Sequence, residues 1–389
     1  MGLAEVAAET LAGIRARGTY RRMRVLDGAQ APRMRVDGRD VLLFAGSNYL
    51  DLAYHPEVVE ASARAAREIG CAAGGSRLIS GNLALHEALE QELAKFFEAE
   101  AALVFNSGYA ANLGVIPALV GNGDAVVSDA LSHASIIDGC RLSRADVFVF
   151  AHGDLAALER VLRDAARDHR RVLLAIDGVY SMDGDVAPVA EMVAAAKRHG
   201  VMVLLDDAHG TGTLGARGRG SAELCGVGEV DVLLGTLGKG LGSYGAFVAG
   251  TRALRELLVN VARSFIFSCA LAPPQVAAAH AALDLVRREP WRRERLQANA
   301  ALLRARLAAR GIATRPSTTH IVPVVIGDNE PTMAVCERLL ERGFYAQGIR
   351  HPSVPEGTAR LRLTPMATHR EDEIDAVADA VAEEVQRVL

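Results

Sequence analysis

The middle of the chain alternates short apolar runs with longer stretches of helical periodicity. These runs fall between about 101 and 250 and contain few charged residues, so both faces of each predicted strand are apolar. Such strands, separated by helices, are typical of a mainly parallel sheet covered on both sides. Ligands of these sheets bind outside the carboxyl ends of the strands, so we expect the chemistry there. The runs that predict these strands are AALVFNSG, DAVVSD, DVFVFAH, RVLLAIDGVY, VMVLLDDAHG, DVLLGTLGKG and GAFVAG.

The pattern changes after Pro273 and Pro274, where long helical stretches run to about 310. Beyond them the periodicity predicts the strand HIVPVVIG, a helix over 331–343, the extended segments YAQGIR and ARLRLTP, and a final helix with one apolar stripe. Thr368 with Glu371 predicts a capping box at the start of that last helix. The chain therefore divides into an N-terminal segment (1–45), a large α/β domain (46–275) and a smaller α+β domain (276–389).

Composition narrows the class of protein. The 389 residues are 50% apolar with a net charge of −4, which is typical of a globular protein of two or three domains and gives no basic face for nucleic acid. No apolar run reaches the roughly 18 residues of a membrane-spanning helix. The five cysteines form no Cys-x-x-Cys pair, and a sparse, odd count is typical of a reducing cytoplasm. We expect a cytoplasmic protein without a membrane span.

Two polar segments follow predicted strands about thirty residues apart. Asp206 and His209 lie in DDAHG, and Lys239 lies in TLGKG. A buried strand that ends in acids needs a cationic or donor partner, and the protonated ring nitrogen of pyridoxal phosphate (PLP) is one. A lysine that holds PLP as a Schiff base needs space around it, and glycines flank Lys239. The alternative is a surface lysine in a turn.

Two further strand ends could serve the same cofactor. NSGY joins a strand to a helix at Gly108 and Tyr109, and backbone N–H groups at a helix N-terminus bind phosphate. His133 follows DAVVSD, where its ring could lie flat on a cofactor ring. Each has an ordinary alternative, because a strand–helix turn often contains glycine and a lone histidine is often structural.

The predicted smaller domain contains two arginines that could bind an anion. Arg360 and Arg362 are two residues apart in a predicted strand, so both side chains lie on one face. A guanidinium suits a carboxylate, so one of them could hold a substrate carboxylate while the alternative is a structural ion pair. Two nucleotide-binding motifs are excluded. The glycine spacing that begins at Gly210 matches a dinucleotide-binding fingerprint, but no apolar helix follows it, and Lys239 is followed by glycine rather than by the Ser or Thr of a Walker A loop. We also predict no metal site.

With these residues laid out, the chain resembles the α-oxoamine synthase family of fold-type I PLP enzymes, from about Gly46 to about His369. The resemblance implies a PLP-dependent transferase with a mainly parallel sheet in its large domain and a smaller α+β C-terminal domain. The stretches that carry it are GSNYLDL, GGSRLISGN with His86 and Glu90, FNSGYAAN, DALSHASIIDG, GVYSMDGDVAPV, DDAHGTGTLG, GTLGKGLGSYG and VPEGTARLRLT.

The resemblance also implies roles around the PLP ring. Lys239 would carry the cofactor and move the Cα proton of the substrate. Asp206 would pair with the ring nitrogen, and His133 would stack on the ring. His209 would contact the ring hydroxyl together with Ser181.

The remaining implied roles concern the phosphate and the substrate. The backbone at Gly108 and Tyr109, with the hydroxyl of Thr236, would hold the phosphate. The family is dimeric with shared sites, so Ser268 would reach the phosphate of the neighbouring subunit. The substrate-side residues would be Asn48, Ser76 and Arg362, of which Arg362 would bind the amino-acid carboxylate.

The implied reaction joins an L-amino acid to an acyl thioester, on CoA or a carrier protein, with loss of CO2. GIRHPSVPEGTARLRL and HASIIDGCRLSRA favour the member that uses alanine and a pimeloyl thioester in biotin synthesis. The alternatives are a sister condensation with glycine or serine, an aminotransferase, or a PLP-binding subunit without catalysis. Three positions depart from the family pattern: Cys269 replaces Thr, Asp177 replaces Glu, and Cys71 changes the usual GSGGSRL. The roles of Arg21 and Arg22 stay open.

Overall fold

The computed structural model describes residues 1–314 and 317–388, so residues 315, 316 and 389 of the predicted 276–389 segment lie outside the described part. The chain forms two compact units. The larger unit comprises Ser47–Ser181 and Asp185–Glu294. The smaller unit comprises Met1–Gly46, Met182–Gly184 and, as far as they are described, residues 295–389. The predicted segment boundaries at 45 and 275 stay predictions.

The helices are numbered in chain order: α1 Leu3–Ala16, α2 Pro56–Glu68, α3 Ala84–Phe97, α4 Gly108–Leu119, α5 Ala134–Ser143, α6 Leu155–Asp168, α7 Val189–Arg198, α8 Ser221–Leu224, α9 Arg252–Val261, α10 Arg263–Ile266, α11 Pro273–Arg288, α12 Trp291–Ala309, α13 Asn329–Glu341 and α14 Glu371–Gln386.

The strands are β1 Leu26–Asp27, β2 Arg33–Val36, β3 Arg39–Leu43, β4 Ala101–Phe105, β5 Ala125–Asp129, β6 Asp146–Phe150, β7 Val172–Asp177, β8 Met202–Asp206, β9 Val232–Thr236, β10 Ala246–Gly250, β11 Val322–Gly327, β12 Phe344–Tyr345, β13 Gln347–Ile349 and β14 Ala359–Leu363.

The described part of the larger unit contains a seven-stranded sheet in the order β4-β10-β9-β8-β7-β5-β6. The five strands from β9 to β6 run parallel, whereas β10 is antiparallel to both β9 and β4. The central strands β5, β7 and β9 are buried at every position, as expected for apolar strands with helices on both faces. The predicted fold class, a mainly parallel α/β sheet of fold-type I, is confirmed.

Polar residues stand at the carboxyl ends of four of the five parallel strands. β5 ends at Asp129, β7 at Asp177, β8 at Asp206 and β9 at Thr236. The pairing of β7 with β8 puts Asp177 directly opposite Asp206. Because parallel strands end at the same edge, residues far apart in sequence meet there.

The smaller unit has its own sheets and core. β1-β2-β3-β12 form one sheet and β11-β14-β13 another. Residues of α12, α13 and α14 pack on the second sheet, with Leu303, Val335, Leu361 and Val377 fully buried. The predicted capping box at Thr368 is wrong. The last helix begins at Glu371, so Glu373 is the third helical residue and its carboxylate accepts the N–H of Arg370 at 3.0 Å.

No helix within the described residues is both long and apolar enough to span a lipid bilayer.

Gly242 fixes the turn that follows Lys239, and its replacement is expected to destabilise the larger unit. Its φ is +59°, and a Cβ there would lie 2.4 Å from the backbone N of Ala53 and 2.7 Å from the carbonyl carbon of Leu52. Left-handed strain costs about 1–2 kcal/mol and overpacking about 1–3 kcal/mol. We expect Gly242→Ala to lower the free energy of unfolding by about 2–5 kcal/mol in urea titrations.

Gly200 supplies the matched control. Its φ is +65°, and nothing lies within 4 Å of the Cβ position. Gly200→Ala should therefore show only the left-handed strain of about 1–2 kcal/mol. Equal losses in the two variants would mean that the close approach of the 52–53 backbone does not constrain the Lys239 turn.

Candidate active site

Lys239 lies in a tight turn between β9 and β10. The turn is held by backbone hydrogen bonds from Leu237 N–H to the Gly245 carbonyl (2.9 Å) and from Gly242 N–H to the Lys239 carbonyl (2.9 Å). The lysine side chain is half-buried, and its Nζ lies 3.0 Å from Nε2 of His209. The other ring nitrogen of His209 lies 2.8 Å from the hydroxyl of buried Tyr49. This chain of contacts fixes the position of the Lys239 amine.

Asp206 ends β8 with its side chain buried. Its Oδ2 accepts a 2.7 Å hydrogen bond from the side-chain amide of Asn112, and its Oδ1 accepts one from Ala208 N–H at 3.1 Å. The same amide nitrogen of Asn112 donates to the hydroxyl of Ser135. A buried carboxylate held in this way presents a fixed negative charge to a cationic partner.

His133 caps the N-terminus of α5. Its Nδ1 lies 2.7 Å from the hydroxyl of Ser135 and accepts Ser135 N–H at 3.2 Å, which fixes the ring plane. Burial lowers the pKa of His133; the charge of Asp206 opposes this, and that of Lys239 adds to it. The neutral form of the imidazole is thus favoured.

Asp177 adds a second carboxyl beside Asp206. Its Oδ2 accepts the backbone N–H of His133 at 2.9 Å. Full burial raises its pKa well above the usual range, and the neighbouring charge of Asp206 raises it further. Two buried carboxyls on adjacent strands disfavour a second negative charge, so a cation next to them would be strongly bound. The replacement of Glu by Asp at this position keeps the carboxyl at the end of β7.

The structure separates the two acids of DDAHG. Asp207 is fully buried, and its Oδ2 accepts the N–H of Ser221 at 2.6 Å, where α8 begins. Burial raises the pKa of Asp207 to about 7, against the hydrogen bonds that lower it. Asp207 therefore anchors a neighbouring loop, and Asp206 is the acid that meets Asn112.

The N-terminus of α4 follows β4 at the same edge of the sheet. Ser107 caps it by accepting Ala110 N–H at 3.1 Å. The N–H groups of Gly108 and Tyr109 are in the first turn, where helices have no internal acceptors. Apart from its chain neighbours and the backbone of its own helix, no atom lies within 4 Å of a Cβ placed at Gly108, so other residues leave room beside this first turn. Thr236 donates its hydroxyl to the Gly245 carbonyl and accepts Gly238 N–H, so it also shapes the Lys239 turn.

Ser268 lies beside the start of α4 in its own chain. Asn106 donates from its side-chain amide to the hydroxyl of Ser268 at 2.6 Å and to the carbonyl of Cys269 at 2.8 Å. Ser76 pairs with Cys269 in an isolated antiparallel bridge. The predicted reach of Ser268 to a neighbouring subunit stays a prediction. The Cys269 thiol is exposed, and the bonds that hold the segment use its backbone.

The remaining predicted site residues are Asn48, Ser181 and Arg362. Asn48 accepts the N–H groups of Leu52 and Ala53 with its side-chain oxygen and so folds the loop after β3. Ser181 is the last residue of the first segment of the larger unit. Arg362 lies on β14 of the smaller unit, and its role toward a substrate carboxylate stays a prediction. Its neighbour Arg360 is buried and donates to Asp183 at 2.5 Å, which is the structural ion pair considered for this strand.

Sequence reasoning missed three residues of the centre: Tyr49, Asn112 and Ser135. Each has a polar group on a side chain that lies buried in the fold. A buried polar residue needs a partner, so Asn112 in the apolar helix α4 was the available signal. Its partner Asp206 is 94 residues away, and no local pattern identifies it.

The residues present fit PLP. Asp206 and Asp177 offer buried carboxyls to a protonated ring nitrogen, and the neutral His133 offers an aromatic face. The open N-terminus of α4 suits a phosphate. The Lys239 amine lies within hydrogen-bonding distance of a histidine at the same edge of the sheet. The protein thus offers a candidate partner for the ring nitrogen, the phosphate and the aldehyde of PLP.

Comparisons with known proteins agree with this geometry. Residues 39–381 match the family described as aminotransferase class I and II. A relative from Geobacter metallireducens, 53% identical over 94% of each chain, is named 8-amino-7-oxononanoate synthase. One from Citrifermentans bemidjiense, 51% identical over 98% of each chain, has the same name.

Solved structures show the same fold. Serine palmitoyltransferase from S. paucimobilis with a bound PLP–myriocin aldimine superposes with a TM-score of 0.94 at 33% identity, and the match covers 100% of this chain and 99% of that one. An 8-amino-7-oxononanoate synthase from Francisella tularensis has a TM-score of 0.77 at 25% identity, covering 89% and 98%.

Proposed function

The chain belongs to the aminotransferase class I and II family and, within it, to the α-oxoamine synthases, and we propose that it is an 8-amino-7-oxononanoate synthase of the cytoplasm that works in biotin biosynthesis. The observation that carries the proposal is that relatives of that name are 51–53% identical to this chain over 94–98% of its length. The Lys239–His209 contact and the buried Asp206 supply the chemistry that such a reaction needs.

PLP is the proposed cofactor, and each of its groups has a candidate partner. The Lys239 amine would bind its aldehyde carbon, and the Asp206 carboxylate would hold a proton on its ring nitrogen. His133 would lie on the ring, and His209 with Ser181 would contact the ring hydroxyl. The N–H groups of Gly108 and Tyr109, with the Thr236 hydroxyl, would bind the phosphate. When bound, PLP supplies an electron sink for the bonding electrons of the substrate Cα.

The chain's own residues then transfer one proton and bind one carboxylate. Lys239 Nζ takes the proton from Cα of L-alanine, and His209, itself held by Tyr49, keeps the amine in place. Arg362 is proposed to hold the alanine carboxylate. Asn48 and Ser76 are proposed to contact the substrates. A new bond forms between the alanine Cα and the thioester carbonyl as the thiol leaves. The bond to the carboxylate then breaks to release CO2, and a proton returns to Cα.

Serine palmitoyltransferase-like condensation is the second candidate. The observation in its favour is the TM-score of 0.94 to a serine palmitoyltransferase. That structure is 33% identical to this chain, against 51–53% for the relatives named 8-amino-7-oxononanoate synthase. Both condensations use the same lysine and aspartate, so these residues do not separate them.

The test follows thiol release from the purified holoenzyme. With L-alanine and pimeloyl-CoA, or pimeloyl carrier protein, we expect rapid release of free thiol and formation of 8-amino-7-oxononanoate. Thiol release that requires serine and a long-chain thioester would support the second candidate instead. Conversion of alanine alone to pyruvate would identify an aminotransferase and overturn both.

We further propose a homodimer that shares its active sites. Ile79 is 84% and Phe267 71% exposed, on two loops that the Ser76–Cys269 bridge joins. Large apolar side chains exposed together mark an interaction surface. Light scattering after size exclusion is expected to give twice the mass of the 41.2 kDa chain. A monomer with full activity would overturn this proposal.

A further inference from the structure

A histidine outside the proposed catalytic set lies between two carboxylates of the larger unit. His152, in the loop after β6, has its Nδ1 2.9 Å from Oδ1 of Asp129 and its Nε2 3.0 Å from Oδ2 of Asp185. Its ring meets that of buried Tyr180 edge-on, with centroids 4.4 Å apart and an angle of 80°. We name His152, Asp129 and Asp185 the His152 triad.

The triad joins loops that follow three neighbouring strands. Asp129 is the last residue of β5, and Asp185 lies in the turn that follows β7. Backbone hydrogen bonds hold that turn, from Tyr180 N–H to the Asp185 carbonyl and from Ala187 N–H to the Gly178 carbonyl. His152 lies in the loop after β6, the strand on the other side of β5. One imidazole therefore ties the ends of β5, β6 and β7 together.

The first tied loop carries His133. Asp129 has no exposed side-chain surface, and its Oδ1 also accepts Leu131 N–H at 2.8 Å. Its backbone carbonyl accepts Ser132 N–H, one residue before His133. Its Oδ2 accepts Gly153 N–H at 3.2 Å, next to His152. The position of the His133 loop thus depends on the carboxylate that His152 holds.

The second tied loop carries Ser181. Tyr180, against which the His152 ring packs, directly precedes it, and Asp185 closes the same turn. The hydrogen bonds to Asp129 and then Asp185 raise the pKa of His152 to about 10, against the effect of burial. The imidazole is therefore protonated at neutral pH, and both ring N–H groups donate to carboxylates. The imidazolium balances the negative charges of the two carboxylates that it bridges, Asp129 and Asp185.

We infer that His152 is a positioning residue that sets the His133 loop and the Ser181 turn relative to each other. The inference rests on the proposed function only in the roles given to His133 and Ser181. Because His152 touches neither of these side chains directly in its hydrogen bonds, its effect passes through Asp129, Tyr180 and Asp185.

The test compares His152→Ala with a matched histidine at the opposite edge of the same sheet. His169 also contacts a carboxylate: its Nε2 lies 3.0 Å from Oδ2 of Asp146 at the start of β6, and this contact raises the pKa of His169. In the apoproteins, hydrogen exchange of the backbone amides of 130–134 and 179–187 is expected to accelerate at least tenfold in His152→Ala. Exchange at both segments is expected to stay at the wild-type rate in His169→Ala.

The holoenzymes supply a second readout. We expect His152→Ala to raise at least tenfold the L-alanine concentration that half-saturates the spectral change of the cofactor, and to lower kcat/KM for alanine by a similar factor. His152 is 30% exposed, so added imidazole can reach the vacated site and should restore a substantial part of alanine binding. His169→Ala should match wild type and not respond to imidazole.

The inference is overturned if alanine binding in His152→Ala stays within twofold of wild type, or if both histidine variants lose it equally. It is also overturned if only one of the two segments exchanges faster. If His152→Ala does not fold, Asp185→Asn leaves the His152–Asp129 pair in place and must show the same direction of change. Wild type that binds alanine but releases no thiol from pimeloyl thioesters would contradict the proposed function alone, and the exchange and binding comparisons would still decide the role of His152.

Discussion

The Lys239→Ala protein is expected to fold normally and to lose thiol release by at least about a thousandfold, because both the covalent attachment and the proton transfer at Cα depend on this amine. The chain contains only three lysines, Lys95, Lys197 and Lys239. Borohydride reduction of the wild-type holoenzyme, followed by peptide mapping, should therefore attach the cofactor to the Lys239 peptide alone. Thiol release measured with alanine and pimeloyl-CoA gives the kinetic effect.

Lys95→Ala is the matched control. Lys95 lies on α3 with a largely exposed side chain paired to Glu92, so its loss should change the rate by less than about twofold. Circular dichroism should be the same for both variants. Activity within tenfold of wild type in Lys239→Ala, or cofactor attached to the Lys95 or Lys197 peptide, would refute the assignment.

Asp206→Asn is expected to lower kcat by about 100-fold or more while leaving the fold intact. The amide has the same shape, and its oxygen can still accept the 2.7 Å hydrogen bond from Asn112. It lacks the negative charge that we propose keeps the ring nitrogen of PLP protonated, so electrons from Cα should be accepted less readily. The absorption spectrum of the holoenzyme should change as well, because that spectrum depends on ring protonation. Steady-state kinetics and absorption titrations with alanine measure both effects.

The control for this variant is Asp231, which directly precedes the neighbouring strand β9. Asp231 accepts Val203 N–H at 2.8 Å near the start of β8, and an asparagine there can accept the same bond. Asp231→Asn should keep the kcat and spectrum of wild type. A fall in kcat of less than tenfold for Asp206→Asn, with an unchanged spectrum, would mean that Asp206 is not the partner of the ring nitrogen.

The sequence by itself predicted the seven strands of the large sheet, their mainly parallel arrangement and the strand ends at which we expect the chemistry. Strands such as β5, β7 and β9 are apolar on both faces, and that pattern can be read within a few residues. It also identified Lys239, Asp206, His209 and His133 as candidates, because each follows an apolar run. The predicted start of the last helix was wrong by two residues, since Glu373 rather than Glu371 reaches back to the residue that caps the helix, Arg370.

Only the tertiary structure decided how these candidates are held. It separated Asp206, which meets Asn112, from Asp207, which anchors Ser221. It brought Tyr49 to His209 across 160 residues, and it put His152 between Asp129 and Asp185. The physical reason is that periodicity records which face of an element is buried. The partner of a buried polar group is set by how distant strands align, and no local pattern contains that information.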